Sequence, residues 1–123
     1  MISFTIDGKP QAKQRPRHGN GFTYTPKETV QFENWVRLCF REAKQEKLEG
    51  ALIVEIVFVY KKPKTSKKKY PARSDIDNCI KSVLDGLQGL AFDNDNQIVE
   101  IHATKSYGQE DMTTVSIKEK ALF

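Results

Sequence analysis

Apolar and polar positions alternate strictly at the start of the chain, with Ile2, Phe4 and Ile6 set against Ser3, Thr5 and Asp7. That period of two predicts a half-buried strand. Gly8, Lys9 and Pro10 break it, and Lys9 to Thr25 reads as a loop with room for a short hairpin at Asn20 and Gly21. The pattern then lengthens. Val30, Phe32, Trp35, Val36, Leu38, Cys39 and Phe40 form a broad apolar stripe of a helix. Thr25 is its expected N-cap and Pro26 its first residue, and it is expected to run to about Lys47. The run from Ala51 to Tyr60, ALIVEIVFVY, is β-branched and aromatic and predicts a central strand.

A second helix is expected from about Ser74. Ile80, Val83, Leu84 and Leu87 recur at i, i+3, i+4, i+7, and Gly86 and Gly89 mark its end. Ser74 and Asp77 have the spacing of a capping-box relative. Two further strands are expected at about Gln97 to Lys105 and Thr113 to Lys118, with Gly108 to Asp111 as the turn between them. The elements predict an α/β (α+β) fold: a single small domain with a mixed β-sheet packed with two main helices.

With 123 residues, the chain is long enough to bury a core without disulfides or structural zinc. Cys39 and Cys79 are far apart and read as small buried thiols, and His18 and His102 stand alone, which argues against zinc. No apolar run reaches membrane-span length and the first residues lack a signal-peptide core, so a cytoplasmic protein with no membrane partner is expected.

Charge changes the picture more. The formal net charge is +4, but residues 9–17 and 61–73 hold eleven of the twenty Lys and Arg with no acid among them. The rest of the chain holds nine basic and sixteen acidic residues. An acidic body with two basic segments fits a localised polyanion site. Lys13, Arg15 and Arg17 lie beside Phe22 and Tyr24 in the first segment. Lys67, Lys68, Lys69, Tyr70 and Arg73 lie in the second. Both suit contacts to a phosphate backbone, with aromatic rings for stacking or for insertion at a branch.

Directly after the second basic segment come Asp75, Asp77 and Lys81, and further on Asp93 and Asp95. Asp77 and Lys81 are four apart and share a helical face. Asp95 precedes a strand, and a strand end beside the helix start would bring it to Asp75 and Asp77. Two or three carboxylates suffice for Mg²⁺, which keeps several waters and takes substrate phosphate as a ligand. Lys81 is placed to stabilise charge on the phosphate. Asp85 and Glu100 are weaker candidates, and Asp93 reads as a turn residue. Taken singly, each acid has a simpler explanation as a helix cap, a surface ion pair or a turn former. Their combination beside a basic loop favours nuclease chemistry.

The residues GKPQAKQRPR followed by YTP, then SDIDNCIKSVLDGL and DNDNQIVE, resemble the RusA family of Holliday junction resolvases, endonucleases often carried by prophages. The resemblance covers nearly the whole chain. It implies that Asp75, Asp77 and Asp95 are the metal-binding and catalytic aspartates and Lys81 the catalytic lysine. The family often has two adjacent aspartates at the last site, where this chain has Asn94 before Asp95. The resemblance further implies Mg²⁺, with Mn²⁺ as a substitute, no small-molecule cofactor, a homodimer, and a branched four-way DNA junction as substrate. The exposed parts of the first helix or of the strand from Ala51 to Tyr60 are the candidate dimer surfaces. The rivals are a non-catalytic branched-DNA-binding protein, a nuclease for flaps or forks, and a small structural domain with incidental lysine loops.

Overall fold

The structure, a computed structural model, describes residues 1–121. Along the chain run β1 (Ile2–Asp7), β2 (Arg17–Gly19), β3 (Phe22–Tyr24), α1 (Lys27–Glu42), β4 (Leu52–Lys61), α2 (Ile76–Leu87), a short 3-10 turn (Asp95–Gln97), β5 (Ile98–Gly108) and β6 (Met112–Glu119). The four long strands form one mixed sheet in the order β1-β6-β4-β5, antiparallel except for the β4–β5 pair. The fold is a single small α+β domain, as the sequence predicts.

One face of the sheet carries both helices. Ile2, Phe4 and Ile6 of β1, Val115 and Ile117 of β6 and Leu52, Val54, Ile56 and Phe58 of β4 all point there and are buried. Phe32, Val36 and Phe40 of α1 and Cys79, Val83, Leu84 and Leu87 of α2 complete the core. β4 is internal, as expected, but only alternate residues are buried and Val57 on the open face stays exposed. Both its edges are taken by β5 and β6, so no edge of β4 is left for another chain.

Several expectations need correction. α1 stops at Glu42 rather than near Lys47, because Lys44 turns into the left-handed region at φ 52°. Gln45 then accepts a hydrogen bond from the Ser3 amide of β1, and the Leu48 amide donates to the Ala91 carbonyl. Pro26, not Thr25, occupies the N-cap. Val30, Trp35 and Leu38, placed in the apolar stripe, are exposed. Gly86 does not end α2 but lies inside it at the crossing with α1. A Cβ there would meet Val36 Cβ at 3.0 Å and the Glu33 carbonyl at 3.1 Å. The helix ends instead at Leu87, and the chain turns away at Gly89, whose φ of 86° only glycine takes readily. The turn between β5 and β6 falls near Gly108 to Asp111 as expected, and β4 lies between the two strands. Their connection crosses the end of β4, where Asp111 accepts a hydrogen bond from the Lys61 amide at 2.8 Å.

Candidate active site

The start of α2 is unusual in what it leaves unused. Asp75 is its N-cap, yet its carboxylate accepts no capping hydrogen bond; its one contact is a long 3.4 Å bond from the Asn78 side-chain amide. Ser74 makes no capping box with Asp77. Its side chain is drawn inward towards Tyr60 and Cys79, where the Tyr60 hydroxyl and the thiol lie 3.4 Å apart. Burial raises the pKa of both groups, so both stay protonated. Asp77 and Lys81 are exposed one turn apart and form no ion pair with each other. Two carboxylates and an ammonium thus face solvent without structural commitments.

The first basic segment reaches this end of the helix as a strap. The Ser82 hydroxyl donates to the Gln11 carbonyl, the Lys13 amide donates to the Asn78 carbonyl at 2.9 Å, and the Gln14 amide donates to Thr29 Oγ1 at 3.1 Å. The strap therefore runs along α2 towards its N-terminus and delivers Arg15 and Arg17, both exposed, into the β2–β3 hairpin. That hairpin turns at Asn20 and Gly21, as the sequence predicts, with Gly21 at φ 78°. Phe22 and Tyr24 on it are exposed and tilted against each other at 5.8 Å. The Lys13 ammonium itself is engaged by Asp85, with Glu33 at 3.8 Å. Asp85 holds the Lys13 pKa above its ordinary value, and burial holds the Glu33 carboxyl above its own.

The second basic segment lies on the other side. Ser66 Oγ sits 3.4 Å from the Tyr107 hydroxyl, and the Lys62 ammonium lies 5.9 Å from the Tyr107 ring centroid. Between this loop and the sheet end is an open groove of about 800 Å³, lined by Lys9, Lys61, Lys67, Lys68 and Arg73 and floored by Tyr60 and Tyr107. Its single carboxylate, Asp111, is already occupied by the Lys61 amide. Lys69 and Tyr70 are exposed at the loop's outer side.

Asp95 is elsewhere. β5 runs parallel to β4, so α2 returns along the sheet and β5 restarts at the end where α2 finishes. The twelve residues of α2 span about 18 Å. The Asp95 turn is fixed by an Asn94–Gln97 capping box and by a bond from the Gln97 side chain to the Gly50 carbonyl at 3.0 Å. Asp93 beside it pairs with Lys47 at 2.5 Å and is a turn residue, as read from sequence. The expected approach of Asp95 to Asp75 and Asp77 does not occur within one chain. Among the described residues, no three His, Cys, Asp or Glu side chains converge on a metal position. Glu100 pairs with His102 and Lys120, which hold its carboxyl below the usual range. Both cysteines are free thiols.

A family model described as Endodeoxyribonuclease RusA matches residues 7–118. The chain belongs to the RusA endodeoxyribonuclease family. It is also 30% identical to the Uncharacterized protein YqaN of Bacillus subtilis (strain 168) over 136 aligned positions, covering 96% of each chain. Membership in the RusA family makes DNA phosphodiester hydrolysis the chemistry that the unused acids must be measured against. Asp75 and Asp77 fit a divalent cation as hard oxygen donors, and among the described residues no Lys, Arg or His pairs with them. They supply a half-site, which needs water, phosphate or a further carboxylate to fill an octahedral shell.

Two residues escaped the sequence reading. Lys105, on β5, donates from its ammonium to the Ser74 carbonyl at 2.5 Å. Tyr107 anchors the basic loop. The available signal was strand phase: Ile101, Ala103, Lys105 and Tyr107 alternate on the helix-bearing face, where a lysine is out of place.

Proposed function

We propose that the protein is a Mg²⁺-dependent endonuclease that resolves four-way DNA junctions as a homodimer. The observation that carries this reading is the uncommitted Asp75–Asp77–Lys81 rim, flanked on both sides by basic segments that hold no free acid. The basic groove and the Arg15–Arg17 segment bind the backbones of junction arms. Asp75 and Asp77 hold the cation, which when bound activates water and offsets charge on the phosphate. Mn²⁺ is expected to substitute. Lys81 lies one turn along and stabilises the phosphate oxygens as charge builds on them. Exposed Tyr70 inserts at the branch, and exposed Phe22 stacks on or wedges against bases.

Asp95 enters through a second copy. β5 is a sheet edge, and it exposes Val99 and Ile101 directly after Asp95. Two copies joined antiparallel along β5 under a twofold axis would set the start of one β5 against the end of the other. The partner's Asp95 would then approach the end that carries Asp75 and Asp77. The twofold also gives two equivalent sites, as symmetric nicking of a junction needs.

The test is incubation with a labelled mobile junction in Mg²⁺ and in EDTA, beside Asp77→Asn. Paired symmetric nicks that need both metal and Asp77 are expected. Tight, salt-sensitive binding without any cut in Mg²⁺ or Mn²⁺ would favour the non-catalytic binding protein instead. Equal cutting of flaps or forks would favour the broader nuclease.

A further inference from the structure

We propose that Lys105 is a positioning residue for the Asp75–Asp77 rim, tying the sheet edge to the first residues of α2 so that both carboxylates are held ready for the cation. This rests on the endonuclease reading above.

Three features of Lys105 point this way. Its register partner is buried Phe58, so its side chain lies on the helix-bearing face and not in open solvent. Its ammonium donates to the Ser74 carbonyl, one residue before the N-cap, a group outside the helix's own hydrogen-bond ladder, which begins with Cys79 N to Asp75 O. Among the described residues it has no carboxylate within ion-pair distance. A cation at the positive end of a helix is electrostatically unfavourable unless anions gather there. A purely structural strut at this position would be better served by a neutral donor. The residue also compensates for what Asp75 lacks. An N-cap with no capping hydrogen bond leaves the chain entry of α2 poorly fixed. Lys105 fixes that entry from outside and leaves the Asp75 carboxylate free.

Full-length Lys105→Met and Lys105→Arg are compared with the unaltered protein in three assays: junction cleavage across a Mg²⁺ titration, junction binding in EDTA, and amide hydrogen exchange of the free protein. For Lys105→Met, cleavage should fall at least about 10-fold and the Mg²⁺ half-saturation should rise, as for loss of a group that orients a metal ligand. Binding in EDTA should stay within about threefold, since no phosphate contact is removed. Amides of Cys79 to Ser82, the first that the α2 ladder protects, should exchange faster while those of β4 do not change. Lys105→Arg should restore most of the cleavage. If Lys105→Met does not fold, Lys105→Gln carries the same expectations for Mg²⁺ half-saturation. An unchanged Mg²⁺ requirement, or slow exchange retained at residues 79–82, overturns the proposal. If the unaltered chain cuts no DNA, the endonuclease reading fails on its own, and exchange at residues 79–82 still decides whether Lys105 holds the start of α2.

Discussion

The two acidic clusters at opposite ends of α2 look alike in sequence and differ in what their side chains are doing. At the C-terminal end, Asn94 and Gln97 form a complete capping box, Asp93 is paired with Lys47, and the turn is bonded to Gly50. At the N-terminal end, Asp75 makes no capping bond, and among the described residues Asp77 and Lys81 enter no ion pair. The first arrangement builds a rigid corner that presents one carboxylate, Asp95. The second leaves a helix start with its carboxylates idle, and support comes from the strap at Asn78 and from Lys105. The lysines crowded beside these carboxylates repel one another, and a ligand that takes both a cation on the carboxylates and phosphate on the lysines explains the arrangement. On the proposed function, the N-terminal end carries the chemistry and the C-terminal end presents Asp95.

The largest expected effect comes from breaking the idle end. Asp77→Asn should lower junction cleavage by more than about 100-fold, as loss of a metal ligand does, while binding in EDTA is retained. Cleavage and gel-shift titrations on the same preparation check this. Next is the basic loop. Replacing Lys67, Lys68 and Lys69 together by Ala should weaken junction binding and flatten the salt dependence by up to about three phosphate contacts' worth of slope. Binding measured from low to high salt reads this directly, and the affinity of non-branched duplex should fall with it.

Loosening the rigid corner is a smaller change. Gln97→Ala removes the return half of the capping box and its bond to Gly50, and should cost about 1 kcal/mol in denaturant unfolding. Cleavage should fall by more than the stability loss explains, because Asp95 is then less well held.

The smallest effect lies under the strap. Burial holds the Glu33 carboxyl above its ordinary value of 4.5. A raised carboxylate pKa means the folded state binds its proton more tightly than the unfolded one, so stability drops as pH rises from about 4.5 through the folded value. Glu33→Gln should therefore be more stable than the unaltered chain at neutral pH, by less than about 1 kcal/mol, with the difference closing towards pH 4. Thermal melts at several pH values test it.

Much of the fold was legible because single-face burial imposes a clear period. β1 alternates buried and exposed residues along its whole length, and α2 buries the Val83, Leu84 and Leu87 stripe that its spacing announces. The errors came where tertiary contacts override local rules. Ser74 has the right identity for a cap but turns inward to Tyr60 and Cys79. Gly86 looks like a helix stop yet is small because α1 passes against it. For the candidate site, Asp75, Asp77 and Lys81 could be read from helical spacing. The position of Asp95 could not, because it depends on β5 lying parallel to β4, which sends the chain back to the far end of α2 before Asp95 is reached. Lys105 was hidden among edge-strand residues until its register with Phe58 was known.

The central claim is that each site draws Asp75 and Asp77 from one chain and Asp95 from another. Asp77→Asn and Asp95→Asn proteins should each be inactive on a four-way junction. Mixed in equal amounts and allowed to exchange subunits, they should regain about a quarter of the unaltered protein's sites, as single nicks, because half of the dimers then hold one intact site. If the mixture stays as inactive as its components although subunit exchange is demonstrated, the three aspartates do not meet across two copies, and the account of the site is wrong.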